Sequence, residues 1–168
     1  MRMAPVAIGS LRDEQLLQTW ALQQARLTHN HPLSDAACIA VGRMVHTAMT
    51  GGSKGALKKI ADELVTEHPR FRYRPYLGNS SAYVVDTMQT VLHYFFSTSS
   101  FEACLIGVVN QGGDADTTGA IAGLIAGAFY GMNDLPKHWL RRLDKDVHNE
   151  AIELSDHLVN TAPLAACK

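Results

Sequence analysis

Apolar residues recur at three- and four-residue spacings through most of the chain, and no long stretch alternates apolar with polar. That is the helical period, and it predicts an all-α protein. From Leu11 to Leu27, the residues Leu16, Trp20 and Gln23 define one face, with Leu17 and Ala21 beside it. Thr28 to Pro32 breaks this helix, and Pro32 suits the first turn of the next. A helix over 34–50 places Cys38, Val41, Val45 and Met49 on one face and stops at Gly51-Gly52. Ser53 is placed to cap a third helix reaching about His68, with Leu57, Ile60, Ala61 and Leu64 inward. Residues 70–80, RFRYRPYLGNS, read as a solvated loop with turn signals at Pro75 and Gly78-Asn79. Two strongly apolar helices follow, over 81–97 and 101–110, the second apolar enough throughout to be buried. A glycine-spaced helix, a turn at 132–136, a short amphipathic segment over 138–144 and a helix over 147–160 complete the pattern. Met1 to Ser10 reads as an apolar entry segment interrupted by Pro5. The pattern has no internal repeat and is consistent with one domain over residues 1–168.

The most informative stretch is 110–131, NQGGDADTTGAIAGLIAGAFYG. Gly119, Gly123, Gly127 and Gly131 recur every fourth residue and so share one helix face. Each glycine costs about 1 kcal/mol of helix stability relative to alanine, so the stripe predicts a neighbour packed close to the backbone. Just before it, Asp114, Asp116 and Thr117 place two carboxylates and a hydroxyl within four residues. This set of hard oxygens suits magnesium, manganese or calcium better than zinc or copper. Asp114 as a helix cap and Asp116 as a first-turn acid would give the same pattern. Gly112-Gly113 favours a ligand, because paired glycines let backbone N–H groups approach one closely.

Composition narrows the choice. The chain has 168 residues and a net charge of −1, without the basic excess of a nucleic-acid binder. Its longest apolar run, 119–131, is too short to span a bilayer, so no integral membrane segment is expected. Cys38, Cys104 and Cys167 are odd in number and lack metal-ligand spacing; Cys38 and Cys104 lie in apolar helical patterns and read as buried thiols, which fits a reducing cytoplasm. There is no G-x-S-x-G, C-x-x-C or P-loop pattern to support acyl transfer, dithiol redox or nucleotide hydrolysis. His29 and His31 form an H-x-H without a third ligand nearby, and Asp86 reads as a helix-surface charge.

The 110–131 string resembles the C-terminal metal motif of the ADP-ribosylglycohydrolase family, a G-G-D-x-D-T followed by a glycine-spaced helix. Residues 27–32, LTHNHP, and 81–87, SAYVVDT, agree with that family in order and spacing. The resemblance implies a compact multi-helix domain of which this chain carries the second part. The N-terminal part, with a T-D-D-T-type motif supplying further metal ligands, would precede Met1. It also implies two divalent cations, Mg2+ or Mn2+, held by Asp114, Asp116 and Thr117. Gly112 and Gly113 would admit the substrate, and Tyr83 and His29 would orient its ADP-ribose. The implied reaction is hydrolysis of the N-glycosidic bond between ADP-ribose and an arginine of a target protein. In the bacterial members most similar to this chain, that target is dinitrogenase reductase. No catalytic acid or base is assigned. The alternative is a catalytically incomplete ADP-ribose-binding module or regulatory remnant.

Overall fold

A computed structural model describes residues 1–163; Cys167 lies outside the described residues. Those residues form nine α-helices and no strand, as the periodicity predicts. They are α1 (Met3–Gly9), α2 (Glu14–Arg26), α3 (Pro32–Met49), α4 (Lys54–Glu67), α5 (Val84–Ser97), α6 (Phe101–Asn110), α7 (Ala115–Tyr130), α8 (Lys137–Leu140) and α9 (Lys145–Thr161). No described helix is long and apolar enough to cross a membrane.

Helix α3 is central and packs against α1, α2, α4, α5 and α7. Val41, Met44 and Val45 of α3 meet a core completed by Leu57 and Leu64, by Met88, Val91, Leu92 and Phe95, and by Ala122, Ile125 and Ala126. Helix starts follow side-chain capping: the backbone N–H groups of Leu16, Ala56 and Ala103 donate to Asp13, Ser53 and Ser100.

Several local expectations change. Residues 3–9 are helical despite Pro5, because proline in a first helical turn removes a donor that has no intrahelical partner there. Helix α2 turns Leu17, Ala21 and Ala25 inward and leaves Trp20 half-exposed. The reason lies on α3, where Gly42 leaves room for Leu17; a Cβ there would come within 2.5 Å of its Cδ1. Helix α6 buries Cys104 and Val108 but exposes Ile106 and Val109, so it is not buried throughout. Helix α8 is only four residues long. Helix α9 buries no residue, and its apolar Ile152, Leu154 and Val159 are exposed. The 70–80 loop is solvated on one side only. Arg70, Arg72 and Arg74 point outward, whereas Phe71 and Tyr73 are buried and Tyr73 stacks on Phe96.

The glycine stripe of α7 faces α6, as close packing requires, but side chains fill the gap. A Cβ would meet Val109 at 3.3 Å from Gly119, Leu105 at 3.8 Å from Gly123 and Phe101 at 3.9 Å from Gly127. An alanine therefore fits at Gly123 and a leucine does not. Gly123→Ala should raise stability by up to about 1 kcal/mol, and Gly123→Leu should lower it by about 1–3 kcal/mol. Thermal melts of both variants check this; a rise with leucine as well would mean that the face is open.

Two histidines make stability depend on pH. Burial lowers the pKa of His46, whose Nε2–H donates to the Ala7 carbonyl at 2.8 Å across the α1–α3 contact. Burial and then Arg74 lower the pKa of His93. Each folded-state value lies below the ordinary 6.5, so the unfolded chain binds more protons once the pH drops below that value. Their contribution is complete above pH 6.5 and is lost as the pH falls through the folded values. The melting temperature should decline on acidification from pH 7 toward pH 5, and His46→Gln should flatten the slope.

Candidate metal and ADP-ribose site

The chain start (Met1 to Met3), α2 (Gln24 and Ala25) and four further segments converge on one cleft of about 680 Å³. The α2–α3 connection contributes Thr28, His29 and His31, and α3 contributes Cys38 and Val41. The start of α5 adds Tyr83 and Met88, and the start of α7 adds Asp114, Thr117 and Ile121. Four of the seven residues singled out from sequence, His29, Tyr83, Asp114 and Thr117, therefore line one space despite lying up to 88 positions apart. Its walls are mostly apolar and its polar groups sit at helix starts and in the connections between helices.

The acidic turn follows from the local sequence. Gly112 and Gly113 adopt φ of 76° and 64°, the left-handed region that glycine enters without a Cβ penalty. They reverse the chain between α6 and α7. Asp114 stands at the N-cap position of α7, yet its side chain makes no capping hydrogen bond. The local bonds come instead from Thr118, which is buried and whose hydroxyl donates to the Asp114 carbonyl at 2.9 Å. The Asp114 carboxyl thus remains available to the cleft. Asp116 is exposed in the first turn of α7. Its pKa is lowered first by a hydrogen bond from Asp114, then by the N–H groups of Thr117 and of Asp116 itself.

Asp114, Asp116 and Thr117 fit a hard divalent cation by chemistry, two carboxylates and a hydroxyl on one turn. Among the described residues, no third His, Cys, Asp or Glu side chain joins them. Neither glycine lines the cleft. The close approach predicted at Gly113 is made by this chain, since a Cβ there would coincide with the carbonyl oxygen of Ser80.

Tyr83 precedes α5 and is half-exposed at the cleft rim. Its N–H donates to Ser81 Oγ at 3.1 Å, and that hydroxyl donates to Asp86 at 2.6 Å. Asp86 is thus a support for the Tyr83 turn and not a free surface charge. His29 is exposed and its Nδ1 lies 2.8 Å from Thr28 Oγ1. His31 caps α3, its Nδ1 accepting from the Leu33 N–H at 3.1 Å, and so holds a fixed place at the rim. Sequence spacing also gave no hint that Cys38 faces the cleft; burial raises its thiol pKa, and Gln24 lies against the sulfur at 3.5 Å.

An all-helical domain with an oxygen-rich turn at the mouth of an apolar cleft defines the class, and comparison with known proteins gives the family. The family model for ADP-ribosylglycohydrolase matches residues 1–166, and the chain belongs to that family. It is 54% identical to the ADP-ribosyl-[dinitrogen reductase] glycohydrolase of Rhodospirillum rubrum, over 98% of this chain and 56% of that protein. It is 32% identical to the ADP-ribosylarginine hydrolase Tri1 of Serratia proteamaculans, over 97% of this chain and 46% of that one. A solved ADP-ribosylglycohydrolase-related protein complex superimposes with a TM-score of 0.80 at 30% identity, covering 96% of this chain and 58% of its counterpart. The chain spans about half the length of the relatives it matches.

Proposed function

We propose that this chain forms one wall of an enzyme that hydrolyses the N-glycosidic bond between ADP-ribose and arginine on a modified protein, with dinitrogenase reductase the target suggested by the similarity to the Rhodospirillum protein. The observation that carries the reading is the Asp114 carboxyl, uncapped and facing the cleft beside Thr117, across from Tyr83 and His29. Asp114, Asp116 and Thr117 would hold two divalent cations, Mg2+ or Mn2+, together with ligands from outside this set. Such cations, when bound, fix ribose hydroxyls and lower the pKa of a water. The chain's own residues do the rest. Tyr83 offers a ring face and hydroxyl at the rim, and His29 and His31 offer ring nitrogens to the diphosphate or ribose. Val41, Met88 and Ile121 exclude water from the apolar wall. The developing positive charge at the ribose carbon would face the acidic turn. The reduced thiols of Cys38 and Cys104 suit a cytoplasmic setting.

The donor count supports a second reading for this span of chain. Magnesium and manganese each take about six oxygens, and three side chains fall well short of filling two such shells. Residues 1–168 alone would then bind ADP-ribose with little turnover. Titrating this chain with ADP-ribose, with and without Mn2+, beside an assay for release of ADP-ribose from modified arginine, separates the two. Binding strengthened by Mn2+ with slow release supports the module reading for this span, and steady release supports hydrolysis by the chain itself. Neither binding nor release would remove both.

A further inference from the structure

We propose that Gln111 is a positioning residue that ties the turn carrying Asp114 to the loop carrying Tyr83, so that the two sides of the cleft keep one register. The proposal rests on the reading of that cleft as an ADP-ribose site.

Gln111 ends α6, immediately before Gly112-Gly113, and does not line the cleft. Its Nε2 donates to the Gly78 carbonyl at 2.9 Å, and its Oε1 accepts from the Tyr94 hydroxyl at 2.7 Å. The amide orientation is forced, because the Gly78 carbonyl can only accept. Both ends of the bridge are themselves fixed. The Tyr94 ring fills a notch at Gly107, where a Cβ would overlap it, and packs edge-on to His93 at 4.9 Å and Tyr76 at 5.9 Å. Tyr76 stacks on His93 at 4.3 Å, and its hydroxyl pairs with the buried Thr90 at 2.9 Å.

The loop beyond Gly78 is held from α5. The Thr90 hydroxyl lies 3.0 Å from the Asn79 carbonyl, and the Thr87 hydroxyl donates to the Ser81 carbonyl at 2.9 Å. Both threonines are buried, so these bonds are shielded from water. Asn79 and Ser81 are therefore held to α5, whereas the 112–114 turn is held only from its own flanks, by the Gly112 N–H on Val109 and by Thr118 on Asp114. Among the described residues, the Gln111 amide makes the one side-chain hydrogen bond between the two segments. The Ser80 backbone also packs on Gly113. A shift of the turn would carry Asp114 away from Tyr83, and Gln111 opposes that shift.

The test uses Gln111→Met, which keeps the length of the side chain and removes both bonds, and Tyr94→Phe, which keeps the ring in its notch and removes one. Amide hydrogen exchange on the 168-residue chain should rise about tenfold at Gln111 and Gly112, whose N–H groups donate to Gly107 and Val109, in Gln111→Met, with a smaller rise in Tyr94→Phe and little change in α3 or α4. ADP-ribose affinity in the presence of Mn2+ should fall about tenfold in Gln111→Met. Adding Tyr83→Ala to that variant should cost less than it costs the unaltered chain, since residues that act as a unit are not additive. A residue of merely structural importance would lower the melting temperature without that coupling. Unchanged exchange at Gln111 and Gly112 overturns the tie. If the unaltered chain binds no ADP-ribose, the reading of the cleft fails while exchange still decides the tie. If Asp114→Asn abolishes binding and Gln111→Met binds normally, the positioning role alone is overturned.

Discussion

Asp116→Asn should lower Mn2+ affinity more than about 100-fold, because changes one shell further out typically cost 10–100-fold and this one removes a ligand charge. The fold should not register the change. Asp116 is exposed in the first turn of α7 and supports no tertiary contact, so the melting temperature should stay within about 2 °C. A neutral amide keeps one oxygen facing the ion but drops the charge that favours a dication over water. Asp114→Asn should be equally damaging to binding, since its carboxyl is the one that faces the cleft. Thr117→Val should do less, a hydroxyl being a neutral ligand. Calorimetric titration of Mn2+ at saturating ADP-ribose, with melts of the same samples, measures both halves. Normal Mn2+ affinity in Asp116→Asn would leave it as a first-turn acid facing the helix dipole and nothing more.

The parts of this protein that were legible from sequence are those set by local rules. Helix α4 matches its expected inward face residue for residue, because Ser53 caps it and Leu57, Ile60, Ala61 and Leu64 form a continuous apolar stripe on a helix that is mostly polar elsewhere. The acidic turn was legible for a different reason: two glycines with positive φ and three oxygen donors on adjacent residues are a local constellation. What sequence could not supply were choices made by partners. Periodicity favours the Trp20 face of α2, whereas Gly42 of α3 makes room for Leu17 and so turns Leu17, Ala21 and Ala25 inward. Tyr94, Gln111 and Gly78 form a bridge across 33 positions, and no periodicity links them. Cys38 and His31 enter the cleft only because α3 starts where the α2–α3 connection ends.

Gly113 should be the least replaceable residue of the motif, for a reason independent of any ligand. Its φ of 64° already charges an L-residue about 1–2 kcal/mol. A Cβ at that position would also coincide with the Ser80 carbonyl oxygen, which is backbone and cannot rotate aside. Overpacking of this kind typically adds about 1–3 kcal/mol, so Gly113→Ala should cost about 2–5 kcal/mol in all. At about 2–4 °C per kcal/mol for a chain of this size, the melting temperature should fall by roughly 4–20 °C. Gly112 supplies the control. Its φ is 76°, but nothing lies within 4 Å of where its Cβ would stand. Gly112→Ala should therefore show the conformational cost alone, about 1–2 kcal/mol. The difference between the two variants isolates the contact with Ser80, and it carries a functional consequence. Relief of the clash requires the 78–83 loop to move away from the turn, so Gly113→Ala should also weaken ADP-ribose binding through a displaced Tyr83, and Gly112→Ala should do so far less. Equal losses of stability in the two alanine variants would show that Ser80 does not pack on Gly113 in solution.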